Sequence, residues 1–332
     1  MLASKRRRQL GVENLELRAL LAGDVSVNVV DGNLIIRGDE ADNSISIAAG
    51  AEAGAYVITG LATAGGDTTI NGGPDTIFNA TGVTGDIDVR LRDGDDVLAM
   101  GALDVAEDLK IGMGDGGDTV TLTTGLTVAG ELSIKTDGGD DTITATGVSA
   151  ASAQVNAGSG DDTVSLTDWL VEGEEEEEEE VEALGSGRGL GRLGGILQSL
   201  FGEGWNGEGY EEGHVKVDLG SGDDTLAVSG LTATKFHLRG GSGDDDATLS
   251  GLVVDRLHAD LGSGDDSLAV SASTFDRVFA KLGSGDDDLS LAADVSISAS
   301  LHIDGGPGTD SLIDDLATQP LDLFRHGFES IV

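Results

Sequence analysis

Glycines followed by paired acids recur in this chain at a fixed step, and that pairing at that spacing is the chemistry-bearing feature of the sequence. Gly220-Ser-Gly-Asp-Asp224, Gly241-Ser-Gly-Asp-Asp245, Gly262-Ser-Gly-Asp-Asp266 and Gly283-Ser-Gly-Asp-Asp287 follow one another every 21 residues, and Gly306-Pro-Gly-Thr-Asp310 comes 23 residues later. Upstream, similar turns end at Asp75, Asp96, Asp118, Asp141 and Asp162, at steps of 21, 22, 23 and 21 residues. Several of these acids have a second one just before them: Asp95, Asp140, Asp161, Asp223, Asp244, Asp265 and Asp286. There is no cysteine, so oxygen is the metal-ligating chemistry on offer. Hard cations take about six to eight oxygens at roughly 2.3–2.6 Å. Two adjacent carboxylates plus carbonyls from two successive turns can supply such a set. Gly and Asp also make good turns for purely local reasons, but about ten such loops in register favour the cation.

A fixed period of this length means a solenoid, and the residues between the turns show what positions them. Counting back from each terminal Asp of the later array, Val215, Phe236, Leu257, Val278 and Leu301 occupy one position, and Val217, Leu238, Ala259, Ala280 and Ile303 the next but one. Between them stand Lys216, His237, His258, Phe279 and His302, then Asp218, Arg239, Asp260, Lys281 and Asp304. Apolar and polar residues alternate with period two, the pattern of a strand with one buried face. Shorter strands, such as Leu226-Ala-Val228 and Leu289-Ser-Leu291, leave the turns. In the earlier array Ile77, Ile87, Val89, Leu91, Val120, Leu122, Leu132 and Ile134 are expected to face inward. The row from Asp218 to Asp304 alternates in sign, which fixes register rather than doing chemistry. The expected fold is all-β, a right-handed parallel β-helix or β-solenoid with coils of about 21 residues and one Gly-Asp turn per coil.

Composition agrees. The chain has 332 residues, 39% apolar but only 3% aromatic, with 53 glycines and 3 prolines. That suits a thin core of Val, Leu, Ile and Ala. A net charge of −42 argues against nucleic acid or an anionic membrane as partner and for bound cations. No apolar run approaches a membrane span.

Along the chain, residues 1–23 read as an export- or targeting-like segment with Lys5-Arg-Arg-Arg8 near its start. Residues 24–171 read as the first half of the solenoid with an N-terminal cap, and Asp39-Glu-Ala-Asp-Asn43 resembles a degenerate first turn. The step from Asp162 to Asp224 is 62 residues, one coil plus an insertion, placed at 172–213. It holds the run Glu174 to Glu180, expected to be solvated, and a short amphipathic helix pattern from Leu190 to Phe201. Residues 214–314 form the second half and 315–332 a C-terminal cap.

The Gly-x-Gly-x-Asp-x-apolar turns resemble the hemolysin-type (RTX) calcium-binding repeat, most fully at 240–245 and 305–310. That resemblance implies calcium held between stacked loops, with Asp96, Asp118, Asp141, Asp162, Asp224, Asp245, Asp266, Asp287 and Asp310 as the bridging carboxylates and Asp75 a weaker match. It departs from the family in having one such turn per coil of about 21 residues rather than every nine, which places calcium on one edge only. Leu15-Glu-Leu-Arg18-Ala-Leu-Leu21 is similar to the LEPR-XLL segment of exported planctomycete-type proteins, with Leu17 where the motif has proline. The function these features point to is a calcium-binding, extracellular or cell-surface structural or adhesive module, not an enzyme, with a matrix or surface polysaccharide or protein as partner. The rival is a carbohydrate-active β-helix of lyase or epimerase type, using the shared face of Arg239, His258, Asp260 and Lys281. An ice-binding solenoid, suggested by hydroxyl rows such as Thr119/Thr121, Thr142/Thr144 and Thr163/Ser165, is a third reading.

Overall fold

The computed structural model describes residues 23–171, 213–318, 320 and 322–331. The glutamate run, the amphipathic helix pattern and the basic N-terminal segment lie outside the described residues. Among the described residues every element is a strand. The strands form two large sheets of 15 and 13 strands and a two-stranded hairpin. In both large sheets the strands are parallel beyond the N-terminal region, and each pairs with its counterpart one coil away. This is a β-solenoid.

Each later coil contributes a long strand, such as Val253–Ser263, to the larger sheet, then a Gly-Asp turn, then a short strand, such as Ser267–Ser271, to the smaller sheet. Alternation along both strands sends every second side chain into the space between the sheets. Val215, Phe236, Leu257, Val278 and Leu301 are all buried, as are Val217, Leu238, Ala259, Ala280 and Ile303. Leu219, Leu261 and Leu282 extend the buried rows one step closer to the turn. The core therefore runs the length of the stack as columns of like residues.

Val171 pairs with Ala150 and Val215 with Ala153 of the same neighbouring strand, and the amide of Gly213 donates to the carbonyl of Ala151 at 2.8 Å. The chain leaves and re-enters within the path of a single long strand. Residues 315–332 add the strands Asp322–His326 and Ser330–Ile331 to the two sheets.

The N-terminal region departs from the coil pattern. Strand Asp24–Val30 pairs antiparallel with Asn33–Arg37, and Ser44–Ala49 pairs antiparallel with Tyr56–Gly60, which in turn pairs antiparallel with Ile77–Ala80. Strand Val97–Met100 stacks in parallel directly on Ser44–Ala49. Residues 50–86 thus do not form a coil: their strands extend the N-terminal ends of the two sheets and bury Tyr56, Ile58, Ile70 and Ala80 in the core. Ile77, expected inward, is 56% exposed, because its strand joins the edge of an antiparallel pair instead of continuing a core column.

Candidate metal centre: the aspartate columns

The Gly-Asp turns stack along one edge of the solenoid. Their glycines take positive φ, for example 131° at Gly222, and a Cβ there would lie 2.0 Å from the carbonyl oxygen of Gly160. Only glycine permits both that backbone and that closeness to the coil below.

Nine aspartates line the inside of this edge: Asp96, Asp118, Asp141, Asp162, Asp224, Asp245, Asp266, Asp287 and Asp310, none more than 2% exposed. Each uses Oδ1 to accept the backbone N–H of the equivalent residue one coil earlier. The amide of Asp96 donates to Asp118 at 2.8 Å, that of Asp118 to Asp141 at 2.7 Å, and that of Asp245 to Asp266 at 2.9 Å. The ladder continues across the insertion, from the amide of Asp162 to Asp224 at 2.7 Å. It starts at Asn43, whose amide donates to Asp96 at 2.6 Å, and ends at Glu329, whose carboxylate accepts from the amide of Asp310 at 2.7 Å.

A second column stands beside it, exposed, and runs the other way. Oδ1 of Asp223 accepts the amide of Asp244, one coil later, at 2.9 Å, and Asp244 and Asp265 accept from the next coils at 2.8 Å each. Asp161 and Asp140 continue it, and Asp286 ends it on the amide of Thr309. Asp95 accepts from Gly117. Successive coils are therefore stitched by one carboxylate reaching back inside and one reaching forward outside.

The Oδ2 atom of every inner aspartate is buried and has no hydrogen-bond partner. A buried, unpartnered carboxylate oxygen is costly as a free anion. Burial, reinforced by neighbouring aspartates, pushes Asp118 up to about 8, Asp96, Asp162 and Asp245 to about 7, and Asp141, Asp224 and Asp266 to about 6, against the backbone hydrogen bonds that lower them. Asp287 and Asp310 are raised by the same burial. The column demands a positive partner, proton or cation.

The donors fit a hard cation in kind, being oxygens alone. Each coil brings one free inner carboxylate oxygen; among the described residues no three acidic or imidazole side chains converge as a ready cage. A cation would draw on oxygens of two successive turns, backbone carbonyls included.

Asp75 lies outside these columns. It is exposed, and the place above Asp96 belongs to Asn43, which is fully buried. The 21-residue step from Asp75 to Asp96 coincides with the coil length without being a coil. The degenerate turn ending at Asn43 is the true first rung.

Elsewhere the expected outward rows are in place. Asp218, Arg239, Asp260, Lys281 and Asp304 are register partners, with Arg239 Nη1 3.8 Å from Asp218 and Lys281 Nζ 3.4 Å from Asp260. On the same sheet nearer the N-terminus a shallow depression is lined by Asp88, Arg90, Lys110, Glu131, Lys135 and Asp137. Its basic groups are paired with acids, Arg90 with Asp88, Lys110 with Asp86 and Asp108, and Lys135 with Asp137.

The stacked-coil architecture and its acid-lined edge define a β-solenoid repeat protein. Comparison with known protein families, curated proteins and solved structures returns no match to this chain.

Proposed function

We propose that this solenoid is a calcium-binding structural module of the extracellular or cell-surface kind, adhesive rather than catalytic. The observation that carries the reading is the inner column of nine buried aspartates, each with a partnerless Oδ2. The Oδ1 ladder alone would be served as well by asparagine, whose side-chain oxygen also accepts an amide; nine desolvated carboxyls, each with a second oxygen unpartnered, call for a counter-charge. At a coil rise of about 4.8 Å, neighbouring anions in such a file repel by roughly 3.5 kcal/mol at an effective dielectric near 20. Calcium, when bound, supplies the compensating charge between coils, and the inner column with its outer companions would hold it. The unfolded chain offers no preformed site, so the binding energy is folding energy. The likeness of the turns to the RTX repeat supports the same ion.

The test is thermal unfolding of the full chain in excess chelator, in calcium and in magnesium, followed by circular dichroism and by tryptophan fluorescence, to which the buried Trp169 contributes. A midpoint that climbs with calcium and much less with magnesium, which demands tighter octahedral geometry, is the expected result. A midpoint indifferent to chelator would leave protons as the column's counter-charge and sink the calcium reading.

A further inference from the structure

We propose that the outer face of the larger sheet, across residues 235–304, is a docking surface for a linear acidic polysaccharide, a chain of uronate sugars running along the solenoid axis. This names the partner of the adhesive reading above and rests on it.

Basic side chains are segregated. Every lysine, arginine and histidine among the described residues lies on a strand of the larger sheet, except Arg92, two residues beyond one. The smaller sheet carries none, in a chain whose net charge is −42.

Two outward rows of the larger sheet follow opposite rules. The row through Arg239, Asp260 and Lys281 alternates in sign, as cross-strand stability requires. The row through Lys235, Arg256 and Arg277 does not: these are direct register partners on three successive strands, three cations at the coil spacing of about 4.8 Å. Like charges placed opposite one another on neighbouring strands destabilise a sheet. Cross-strand pairing does not account for three like charges in file, whereas an anionic chain crossing the coils would be held by them. Asp255 and Asp276 flank it, and Arg277 Nε lies 3.6 Å from Asp276 Oδ2.

Between the two rows runs a file of rings. His237 and His258 have centroids 4.7 Å apart, His258 and Phe279 4.7 Å, and His302 and Phe324 5.9 Å, with Phe279 and His302 paired in register. Phe279 is 42% and Phe324 52% exposed. Burial, with His258, Arg239 and Lys216 beside it, holds His237 below its usual range, so this end of the file is uncharged at neutral pH. Apolar ring surface beside a line of cations suits sugar C–H faces with carboxylates along one side.

The partner is a polymer because cation and ring recur with the coils on an open sheet, where a small ligand would engage one coil. It is a uronate chain rather than nucleic acid, because duplex DNA carries one charge per ~1.7 Å and would meet the exposed acids Asp223, Asp244, Asp265 and Asp286 along the adjoining edge.

Calorimetric titration of the full chain, in calcium, with a short non-gelling oligomer of galacturonic acid tests this. The wild type and Thr248→Glu, on the opposite sheet, are expected to bind alike. Arg256→Glu/Arg277→Glu should weaken binding by about tenfold or more, equivalent to about 1.4 kcal/mol, and Phe279→Ala should also weaken it, in chains that still unfold cooperatively. Equal binding of a neutral cello-oligomer, or of an oligothymidylate of the same charge, would overturn the assignment. A calcium-stabilised chain that ignores the uronate overturns this inference alone. Uronate binding by a chain whose melting ignores calcium supports it and removes only the calcium reading.

Discussion

The amide of Asp118 donates to Oδ1 of Asp141, one coil later, at 2.7 Å, so each buried acid is tethered to the backbone of the one a coil before it. Oδ1 is thereby committed to the fold, while Oδ2 is left to a proton or an ion. The two oxygens of one carboxyl thus have separable roles, and substitutions can address them one at a time.

The inner column makes stability depend on pH. Its folded values are raised above the ordinary carboxylate range, to about 8 at Asp118 and about 7 at Asp245. The native state then binds more protons than the unfolded chain between the unfolded value of about 3.9 and the folded values. In that window stability falls as pH rises. In chelator the unfolding midpoint should therefore increase as pH is lowered from 8 toward 5, and saturating calcium should flatten the dependence. A midpoint in chelator that rises with pH would contradict the raised values.

Asp245→Asn/Asp266→Asn keeps an oxygen to accept the amides of Asp224 and Asp245 but removes two charges. It should be no less stable than the parent in chelator at pH 8, yet need more calcium to reach its plateau. Asp245→Ala/Asp266→Ala also leaves buried amides without acceptors and should lose about 1–3 kcal/mol per site in either condition. Denaturant unfolding of both variants, with and without calcium, separates the ladder from the ion.

These variants address what the sequence made legible only in part. Membership of the inner column could be read from Asp96 to Asp310, because each turn repeats both its glycines and its distance from the inward Val, Leu and Ile. The direction of each hydrogen bond could not, since Asp223 and Asp224 are adjacent in sequence yet their carboxylates accept from opposite coils, Asp224 from the amide of Asp162 and Asp223 from that of Asp244. Asp75 was misleading because its spacing mimics a coil while the strands of residues 50–86 extend the N-terminal ends of the two sheets, Tyr56–Gly60 and Ile77–Ala80 by antiparallel pairing, a non-local choice that periodicity does not record. The alternating row of Arg239 and Lys281 was visible. The confinement of basic residues to one sheet was not, because it requires knowing to which sheet each strand belongs.

Reversing Arg239 to Glu places a like charge between Asp218 and Asp260, its register partners on either side. Exposed cross-strand contacts of this kind change stability by about 0.2–1 kcal/mol each. The expected outcome is a lower unfolding midpoint with an unchanged denaturant slope. A midpoint unmoved beyond error would mean that backbone pairing alone holds the register.

Deleting residues 174–211 and bridging the ends with a short Gly-Ser linker should leave a folded solenoid. Val171 and Val215 already sit against Ala150 and Ala153 of one neighbouring strand, so these two residues lie about three residues apart along one strand path, roughly 10 Å. Both are core residues, 1% exposed, and their burial among described residues accounts for the column at that level. The ladder crosses the same level without a break, through the amide of Asp162 and the carboxylate of Asp224. The deletion shortens the chain between two residues already paired in one strand path, and closure entropy grows only slowly with the length of such a segment, so the change in stability should be small. Cooperative melting at a midpoint close to the parent's, with the Trp169 signal retained, is the expected result. A broad, non-cooperative transition in the deletion would show that the inserted segment completes the core between the two halves of the stack.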